Sequence, residues 1–282
     1  MKLNHFLILS IGVFINALPA GAYGQRVYAT VQQNGVSLPL LANIDNPQGA
    51  VDTIYTNFST LNVSIGGVGL VYAQQNLQFT GALRPSPSSP IIIKFGAGNT
   101  LLGLVNALIV QRTNGGMNTT VGTAYSSSRL ATLITSNAGS NATEVSIPIP
   151  GPNTASDGIR LRINTALGVG VAANLFYAFF IVPPIPVNTA ISICEGETGL
   201  IEIANFQPGY TYLLYDSLIG GAPILSGNSQ VISFNVADLS SGNYYLEAIE
   251  PGTDFASARA AIQIVKYSKP GNPDIVIHIN EN

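Results

Sequence analysis

The side chains that most often perform catalysis are scarce in this 282-residue chain. It contains two histidines, His5 and His278, one cysteine, Cys194, and no tryptophan. A serine hydrolase needs a histidine base beside its nucleophile, and residues 25–182 hold none to serve the serines at 126–128. We therefore predict a protein that holds or binds other molecules and is not an enzyme. Hydrolysis by two carboxylates stays open, because that mechanism needs only a pair of acids.

Two acids in the first half are candidate metal ligands. Asp45 and Asp52 lie near Asn43 and Asn46, and Ca²⁺ takes oxygen ligands from carboxylates, amides and carbonyls. Their spacing does not form the Asp-x-Asp-x-Asp-Gly loop that is typical of a calcium site. We favour an Asx turn, in which the Asp52 carboxylate accepts hydrogen bonds from nearby backbone N–H groups. No cofactor is predicted, and calcium at Asp45 and Asp52 is the alternative.

A sugar-binding surface usually combines aromatic faces with polar groups. Several aromatic residues of the first half fall in the apolar run at 176–180, which suits a core strand. The remaining candidates in this half are Tyr28, Tyr55, Phe58, Tyr72 and Tyr125. Aromatic residues in strands belong to the core more often than to a binding platform. The ligand-binding residues are therefore left unknown.

Charge differs between the two halves of the chain. Residues 25–184 carry seven basic and four acidic residues, a balance of +3, whereas residues 185–282 carry three and ten, a balance of −7. Neither half has the clustered basic patch that nucleic-acid binding requires. The asymmetry supports a boundary between two domains, and we predict no nucleic-acid partner.

The first 24 residues have the pattern of a secretory signal peptide. Lys2 precedes an apolar segment from Phe6 to Leu18, and small residues at 20–24 provide a cleavage site. Cleavage after Ala22 or after Gly24 would each fit, and the second would make Gln25 the first residue of the mature chain. We therefore predict that the protein is secreted or reaches the outer cell surface.

Short alternating segments separated by turn-forming residues predict antiparallel strands. These segments are residues 26–31, 61–65, 144–149 and 158–163. In the last of them, Ile159, Leu161 and Ile163 share one face. Arg160 and Arg162 share the other, because successive side chains in a strand point to opposite sides. Short strands between turn clusters suit an antiparallel sandwich.

Residues 164–182 carry no charge, and their length raises the question of a membrane span. The stretch contains Gly168, Gly170 and Asn174, and a block of prolines follows it directly. We predict two buried strands joined by a turn near residues 171–174. No transmembrane span is predicted in the mature chain.

The proline-rich segment 183–187 is predicted to be a stiff linker that holds two modules apart. The first module would be residues 25–182 and the second residues 188–268, followed by a C-terminal tail at 269–282. Helical periodicity is convincing only around residues 126–135, so both modules are predicted to consist of strands.

Residues 46–60 read Asn-Pro-Gln-Gly-Ala-Val-Asp-Thr-Ile-Tyr-Thr-Asn-Phe-Ser-Thr. This segment resembles the opening of discoidin-like, galactose-binding-type jelly-roll domains. In those domains an early Asp-containing turn packs near a later Arg-bearing strand, which the resemblance places at Asp52 and at residues 158–163. The family usually has Gly after the Asp and a tryptophan a few residues later. Here Thr53 follows Asp52, and Phe58 stands near the aromatic position.

The second half contains Cys-Glu-Gly at 194–196 and Ser-Ala-Arg at 257–259. It resembles the Ig-like repeats of large surface and gliding-associated proteins of Bacteroidota, which typically begin Val-Cys-x-Gly and end Gly-Cys-x-Ser-x-Arg. The second cysteine of that pattern is absent here. The resemblance implies that Cys194 is the remaining half of a disulfide, buried as a small apolar residue. It also implies that Phe255 fills the space of the missing partner.

The tail contains an alternating run, Ile-Val-Ile-His-Ile, at 275–279. Such a run pairs readily with an exposed sheet edge, either of this chain or of a neighbour. His278 is then the polar side of the alternation and not a ligand.

These expectations together predict an all-β protein, with a jelly-roll-like β-sandwich followed by an Ig-like β-sandwich. The resemblances imply a non-enzymatic exported surface protein in adhesion or matrix structure, with a surface glycan or a protein as partner. The alternative is a carbohydrate-binding module, assisted by calcium, that acts through the N-terminal domain. A glycosidase is the third hypothesis.

Overall fold

The computed structural model describes residues 25–64, 71–165 and 170–269. The predicted signal peptide at 1–24 and the tail segment at 275–279 lie outside the described residues, so both stay predictions. Among the helices that are described, none has the length and apolarity to cross a membrane.

The first half folds into two antiparallel sheets that pack face to face. Its strands are β1 Arg26–Tyr28, β2 Val31–Val36, β3 Ala42–Asp45, β4 Ser59–Val63, β5 Val71–Gln78, β6 Ile91–Gly96, β7 Leu108–Thr113, β8 Thr120–Ser126, β9 Glu144–Ile149, β10 Gly158–Thr165 and β11 Val171–Ile181. The first sheet has the order β3-β4-β11-β6-β9, with β1 also paired to β11, and the second has the order β2-β5-β10-β7-β8. Consecutive strands repeatedly cross between the sheets, as in a jelly-roll-like sandwich.

Alternation along β10 confirms the predicted sidedness of this strand. Ile159, Leu161 and Ile163 lie in the core between the two sheets. Arg160 and Arg162 point away from the core, on the outer face of the second sheet. Because β10 is hydrogen-bonded to β5 on one side and β7 on the other, it also fixes which residues share that outer face.

Helices occupy little of this sandwich. The predicted helix near residues 126–135 is confirmed as α2, Ser127–Ala138, and it buries Leu130 and Ile134, which lie one turn apart. A single turn, α1 at Leu101–Leu104, and a 3-10 turn at Pro47–Ala50 complete the first half.

The predicted turn at residues 171–174 is wrong, because β11 runs without interruption through these positions. Residues Val171–Leu175 pair with β4, and the strand continues along β6 from Asn174 onward. The polar Asn174 is accommodated because its Oδ1 accepts a hydrogen bond from Thr60 Oγ1 at 3.0 Å. The predicted pair of strands within residues 164–182 is therefore wrong as well, because a single long strand, β11, occupies residues 171–181, and β10 ends at Thr165.

The second half forms another sandwich. Its strands are β12 Ala190–Cys194, β13 Thr198–Glu202, β14 Thr211–Tyr215, β15 Leu225–Gly227, β16 Val231–Asn235, β17 Gly242–Ile249 and β18 Ala260–Tyr267, with a 3-10 turn at Val236–Asp238. One sheet has the order β12-β18-β17-β14-β15 and the other pairs β13 with β16. Strands β12 and β18 run parallel, and the remaining pairs are antiparallel. The all-β fold class with two sandwiches is confirmed.

The proline-rich segment does not hold the two sandwiches apart. Its backbone joins the second sandwich, since Val187 N–H donates to Glu202 O at 2.8 Å and Ala204 N–H donates to Ile185 O at 2.8 Å. Held in this way, the segment brings the second sandwich against the outer face of the first sheet, where the two share one apolar cluster.

Candidate functional site

The two acids predicted as metal ligands are engaged by amide groups. Asp52 Oδ1 accepts from Ile54 N–H at 2.9 Å and Oδ2 accepts from Asn57 at 2.7 Å, which confirms the predicted Asx turn. Asp45 accepts from Asn43 and Asn62, both at 2.8 Å. The structure does not bring Asp45 and Asp52 into one cluster of three or more His, Cys, Asp or Glu within the described residues.

The aromatic candidates for sugar binding fall into separate places. Tyr28 and Tyr55 stack on each other with ring centroids 4.4 Å apart. Phe58 packs on the ring of Phe176, on the first sheet. The faces of the other two are covered by guanidinium groups, since Arg162 lies 3.8 Å from the centroid of Tyr72 and Arg129 lies 4.6 Å from that of Tyr125. The structure therefore does not bring the five candidates together as one platform.

Cys194 is exposed, so the prediction that it is buried is wrong. It is the last residue of β12, and its neighbour Ile193 takes the inward position. Alternation therefore turns the thiol outward. The Phe255 ring lies elsewhere, in the junction between the sandwiches, where it packs edge-on against Phe179 at 6.2 Å.

The junction begins with the apolar half of the outer face of the first sheet. Ile92, Phe179 and Ile181 point away from their own sandwich and join the core cluster of the second one. Each is at most 1% exposed. Burial of one such side chain contributes about 1.5–3 kcal/mol, so these three outweigh any exposed ion pair at the rim. The hydrophobic effect therefore drives the docking of the two sandwiches.

An ion pair fixes the orientation at the edge of the apolar cluster. Arg26 Nε donates to Glu250 Oε1, and Nη2 donates to Oε2 at 2.7 Å. Burial lowers the pKa of Arg26, but the hydrogen bonds to Glu250 and Tyr28 and the charges of these groups together outweigh it, so the net pKa is raised and the group stays charged. The Tyr210 hydroxyl donates to the same carboxylate at 3.3 Å, and burial followed by the charge of Glu250 raises the pKa of Tyr210. The Arg26 guanidinium also covers the ring of Phe179 at 4.2 Å.

Gln25, next to Arg26, extends this contact. Its amide donates to Asn205 O at 3.1 Å and to the Tyr212 hydroxyl at 3.0 Å. Asn205 in turn accepts from Ile185 N–H at 2.7 Å and donates to Pro183 O at 3.0 Å. The beginning of the described chain, the proline-rich segment and the second sandwich are therefore tied to one another.

Beside the junction lies a cleft of about 350 Å³ with one wall from each sandwich. The first sandwich contributes residues 88–90 and 150–153, and the second contributes residues 218–220 and 257–259. The Ile219 side chain is 75% exposed and protrudes at the edge. The cleft is the candidate binding site, because it is concave and mixes apolar surface with a few fixed polar groups.

Arg259 is the central charged group of this cleft. Its Nη1 donates to Ser217 O and Gly220 O, both at 2.7 Å, and its Nε lies 3.6 Å from Glu247 Oε1. The guanidinium also sits 3.4 Å from the centroid of the Tyr215 ring. These contacts hold the 217–220 loop in place, so Arg259 shapes the wall of the cleft.

The opposite wall is held by a buried arginine that the sequence analysis did not single out. Arg112 donates to Ser89 O at 3.0 Å and Ile149 O at 3.1 Å, and also to Ser156 Oγ at 2.6 Å. Burial lowers the pKa of Arg112 to about 10, so it remains cationic at neutral pH and needs these oxygen partners. Its position in the sequence could have indicated this burial. Arg112 alternates with Leu108 and Val110 along β7, so the three side chains lie on the same inward-facing side of the strand.

The second sandwich matches a known family. Residues 183–266 match the family model described as "Ig-like domain CHU_C associated". The second sandwich is an Ig-like domain. This match confirms the Ig-like prediction for the second half, whereas the discoidin-like character of the first half stays a prediction.

Comparison with other proteins adds only remote likenesses. No curated protein matches this chain by sequence. A β-1,2-glucanase from Parabacteroides distasonis is 12% identical with a TM-score of 0.34, and the match covers 87% of this chain but only 37% of that chain. The adhesin domain of Epf from Streptococcus pyogenes is 9% identical with a TM-score of 0.28, covering 76% and 79% of the two chains. TM-scores this low do not establish a shared fold.

Proposed function

We propose that this chain is a non-enzymatic, exported cell-surface protein that serves in adhesion or in the structure of the surface matrix. The observation that supports this most is the docked junction, in which the Arg26–Glu250 ion pair closes over a shared apolar cluster. Domains that share a polar or small interface move relative to each other by default. An apolar junction suits a protein that must keep its shape while it holds two surfaces together.

The Ig-like domain supports the same proposal. Residues 183–266 belong to a domain type that the sequence resemblance associates with surface proteins of Bacteroidota. The N-terminal pattern at residues 1–24 would direct the chain to the secretory route. Export and surface display are parts of the proposal.

Surface display and adhesion are tested in the cell that produces the protein. An antibody against the chain should label intact cells, and deletion of the gene should reduce their attachment to a surface. Restoring the wild-type gene should restore attachment, and the Glu250→Gln variant should restore it less, because its junction is weaker. Normal attachment of the deletion strain would contradict the adhesive role.

The non-enzymatic part is tested with the purified chain. Incubation of residues 25–282 with β-1,2-glucan, polygalacturonate and dextran should release no new reducing ends. Any release that scales with protein concentration and disappears when a single carboxylate is replaced would instead support the paired-acid alternative.

A second candidate function is carbohydrate binding through the first sandwich. The observation in its favour is the outer face of the second sheet, where amide and guanidinium side chains lie side by side across β5, β10 and β7.

Assistance by calcium would require Asp45 or Asp52 to exchange amide donors for a cation. If retention of the protein on a polysaccharide falls when calcium is chelated and falls in Asp52→Ala, a role for calcium is supported. Retention that is unchanged by chelation and by Asp52→Ala would contradict that role.

A further inference from the structure

The outer face of the second sheet carries a row of polar side chains that run across four strands. Asn76 on β5 lies between Gln33 on β2 and Arg160 on β10, and Arg160 lies opposite Gln111 on β7. Cross-strand neighbours point to the same side of a sheet, so these four side chains form one continuous polar row. Asn76 Oδ1 accepts from Thr113 Oγ1 at 2.7 Å.

A second row lies beside the first. Gln74 is flanked by Gly35 on β2 and by Arg162 on β10. A Cβ on Gly35 would meet the methyl group of Met117 at 3.0 Å, so the Met117 side chain lies over this point of the row. Glycine at position 35 thus leaves room for Met117, whose flexible thioether chain adapts easily to a changed surface.

The loop that carries Met117 is held to neighbouring side chains by hydrogen bonds. Met117 N–H donates to Gln33 Oε1 at 2.8 Å, and Arg160 Nη1 donates to Met117 O at 3.1 Å. Gly115 N–H donates to Asp157 Oδ1 at 2.9 Å. Gly115 and Gly116 both have positive φ angles, 74° and 138°, which glycine adopts at little cost. Glycine at both positions therefore lets the loop turn over the sheet without side-chain strain.

Beneath this loop, three polar atoms lack hydrogen-bond partners within the described structure. They are Gln74 Oε1, Asn76 Nδ2 and Arg160 Nε. Gln74 is 4% exposed and Asn76 is 0% exposed. A buried polar atom without a partner is destabilising, so three neighbouring ones mark a place where a hydrogen-bonding molecule belongs. They comprise one acceptor and two donors, a set that hydroxyl groups match because a hydroxyl both donates and accepts.

The same face is positively charged. Within the described residues, neither Arg160 nor Arg162 forms a salt bridge with a carboxylate. Burial, and then the charge of Arg162, lower the pKa of Arg160. Asp157, which directly precedes β10, accepts from Gly115 N–H and from Gln78 Nε2, and it lies 4.0 Å from Arg84. An anionic group on the ligand would relieve the repulsion between the two guanidinium groups.

We infer that the outer face of the second sheet binds an acidic polysaccharide. The side chains of Gln74 and Asn76 hydrogen-bond the sugar hydroxyls, and Arg160 and Arg162 pair with the carboxylates of uronic-acid units. Met117 covers the site in the free protein and moves aside when the polysaccharide binds. This inference rests on the carbohydrate-binding function proposed above for the first sandwich.

The test uses purified residues 25–282 with immobilised polygalacturonate as the probe. Neutral dextran and polyglutamate serve as comparison polymers. Dextran offers sugar hydroxyls without carboxylates, and polyglutamate offers carboxylates without sugar hydroxyls. We expect saturable binding to polygalacturonate that is about tenfold or more stronger than binding to either comparison polymer, since both hydroxyls and carboxylates are recognised. Equal binding to polyglutamate, or no binding to polygalacturonate, would overturn the inference.

Variants locate the site. Gln74→Ala and Arg162→Ala should each weaken binding to polygalacturonate by about tenfold, the loss expected for one charge-assisted or buried hydrogen bond. Arg129→Ala removes a positive charge from α2 and should leave binding unchanged. Met117→Ala should bind at least as tightly as the wild type, because it uncovers the row. Circular dichroism and thermal unfolding check that each variant is folded.

The outcomes separate the site from the function. If the wild type binds polygalacturonate and folded Gln74→Ala and Arg162→Ala bind equally well, the site is wrong and carbohydrate binding stands. If the wild type binds neither polygalacturonate nor dextran, both the inferred site and the proposed carbohydrate-binding function of the first sandwich are wrong. The adhesive function would remain open through the cleft between the sandwiches.

Discussion

Arg26 and Glu250 meet across the junction of the two sandwiches through two parallel hydrogen bonds. Arg26 Nε and Nη2 donate to the two oxygens of the Glu250 carboxylate, whose side chain is 7% exposed. A contact of this kind fixes an angle as well as a distance, because both groups are planar. The pair therefore determines how the Ig-like domain sits on the first sandwich, while the apolar cluster beside it supplies most of the attraction.

Glu250→Gln should destabilise the protein by about 2–3 kcal/mol, because the buried end of a charge-assisted pair loses its charge while Arg26 remains. Urea denaturation followed by circular dichroism measures this loss. The same variant should make unfolding less cooperative, with the two sandwiches beginning to unfold separately.

The matched control is Glu144→Gln in the Lys94–Glu144 pair on the first sheet. The Glu144 side chain is 50% exposed, so its loss should cost less than about 1 kcal/mol. Equal effects of Glu144→Gln and Glu250→Gln would contradict the role assigned to the junction pair.

Arg112→Met should destabilise the first sandwich by about 3 kcal/mol. Methionine fills a similar volume but leaves the carbonyl oxygens of Ser89 and Ile149 without the donor that now serves them. Thermal unfolding measures the loss, and Arg129→Met, at an exposed arginine on α2, should change stability by less than about 0.5 kcal/mol. An Arg112→Met protein as stable as the wild type would show that these carbonyls find other partners.

Gly199→Ala should destabilise the Ig-like domain by at least about 2 kcal/mol. A Cβ at this position on β13 would lie 2.1 Å from the Phe234 ring, and Phe234 is part of the core. Gly242→Ala is the control, because its Cβ would meet only the edge of the Tyr244 ring at 4.0 Å. The clash interpretation fails if both variants unfold at the same temperature as the wild type.

The strands and the helix could be predicted because their signals are local. Alternation at residues 144–149 and 158–163 reports directly which side of each strand is buried, and both segments are strands in the structure. The turn predicted at 171–174 failed for a non-local reason. Asn174 resembles a turn residue in sequence, but pairing with Thr60 on the neighbouring strand keeps it within β11.

The junction between the sandwiches could not be located from the sequence. Phe179 and Ile181 lie in a run of apolar residues, which indicates a strand covered on both faces but not what covers it. The groups that cover them, such as Glu250 and Phe255, lie at least 69 residues further along the chain, and no local pattern marks them. The Asx turn at Asp52 was predictable because donor and acceptor lie two residues apart.

Cys194 should react in the folded protein. The Ig-like repeat pattern implied a buried half-disulfide, yet Cys194 is exposed at the end of β12. A thiol-specific reagent such as DTNB should therefore label one thiol per chain at a rate within about tenfold of the rate for urea-unfolded protein, since access and thiolate fraction control the reaction. Cys194→Ser should change the free energy of unfolding by less than about 0.5 kcal/mol, as expected for a surface substitution. A thiol that reacts only after unfolding, together with a large loss of stability in Cys194→Ser, would restore the buried role that the resemblance implied.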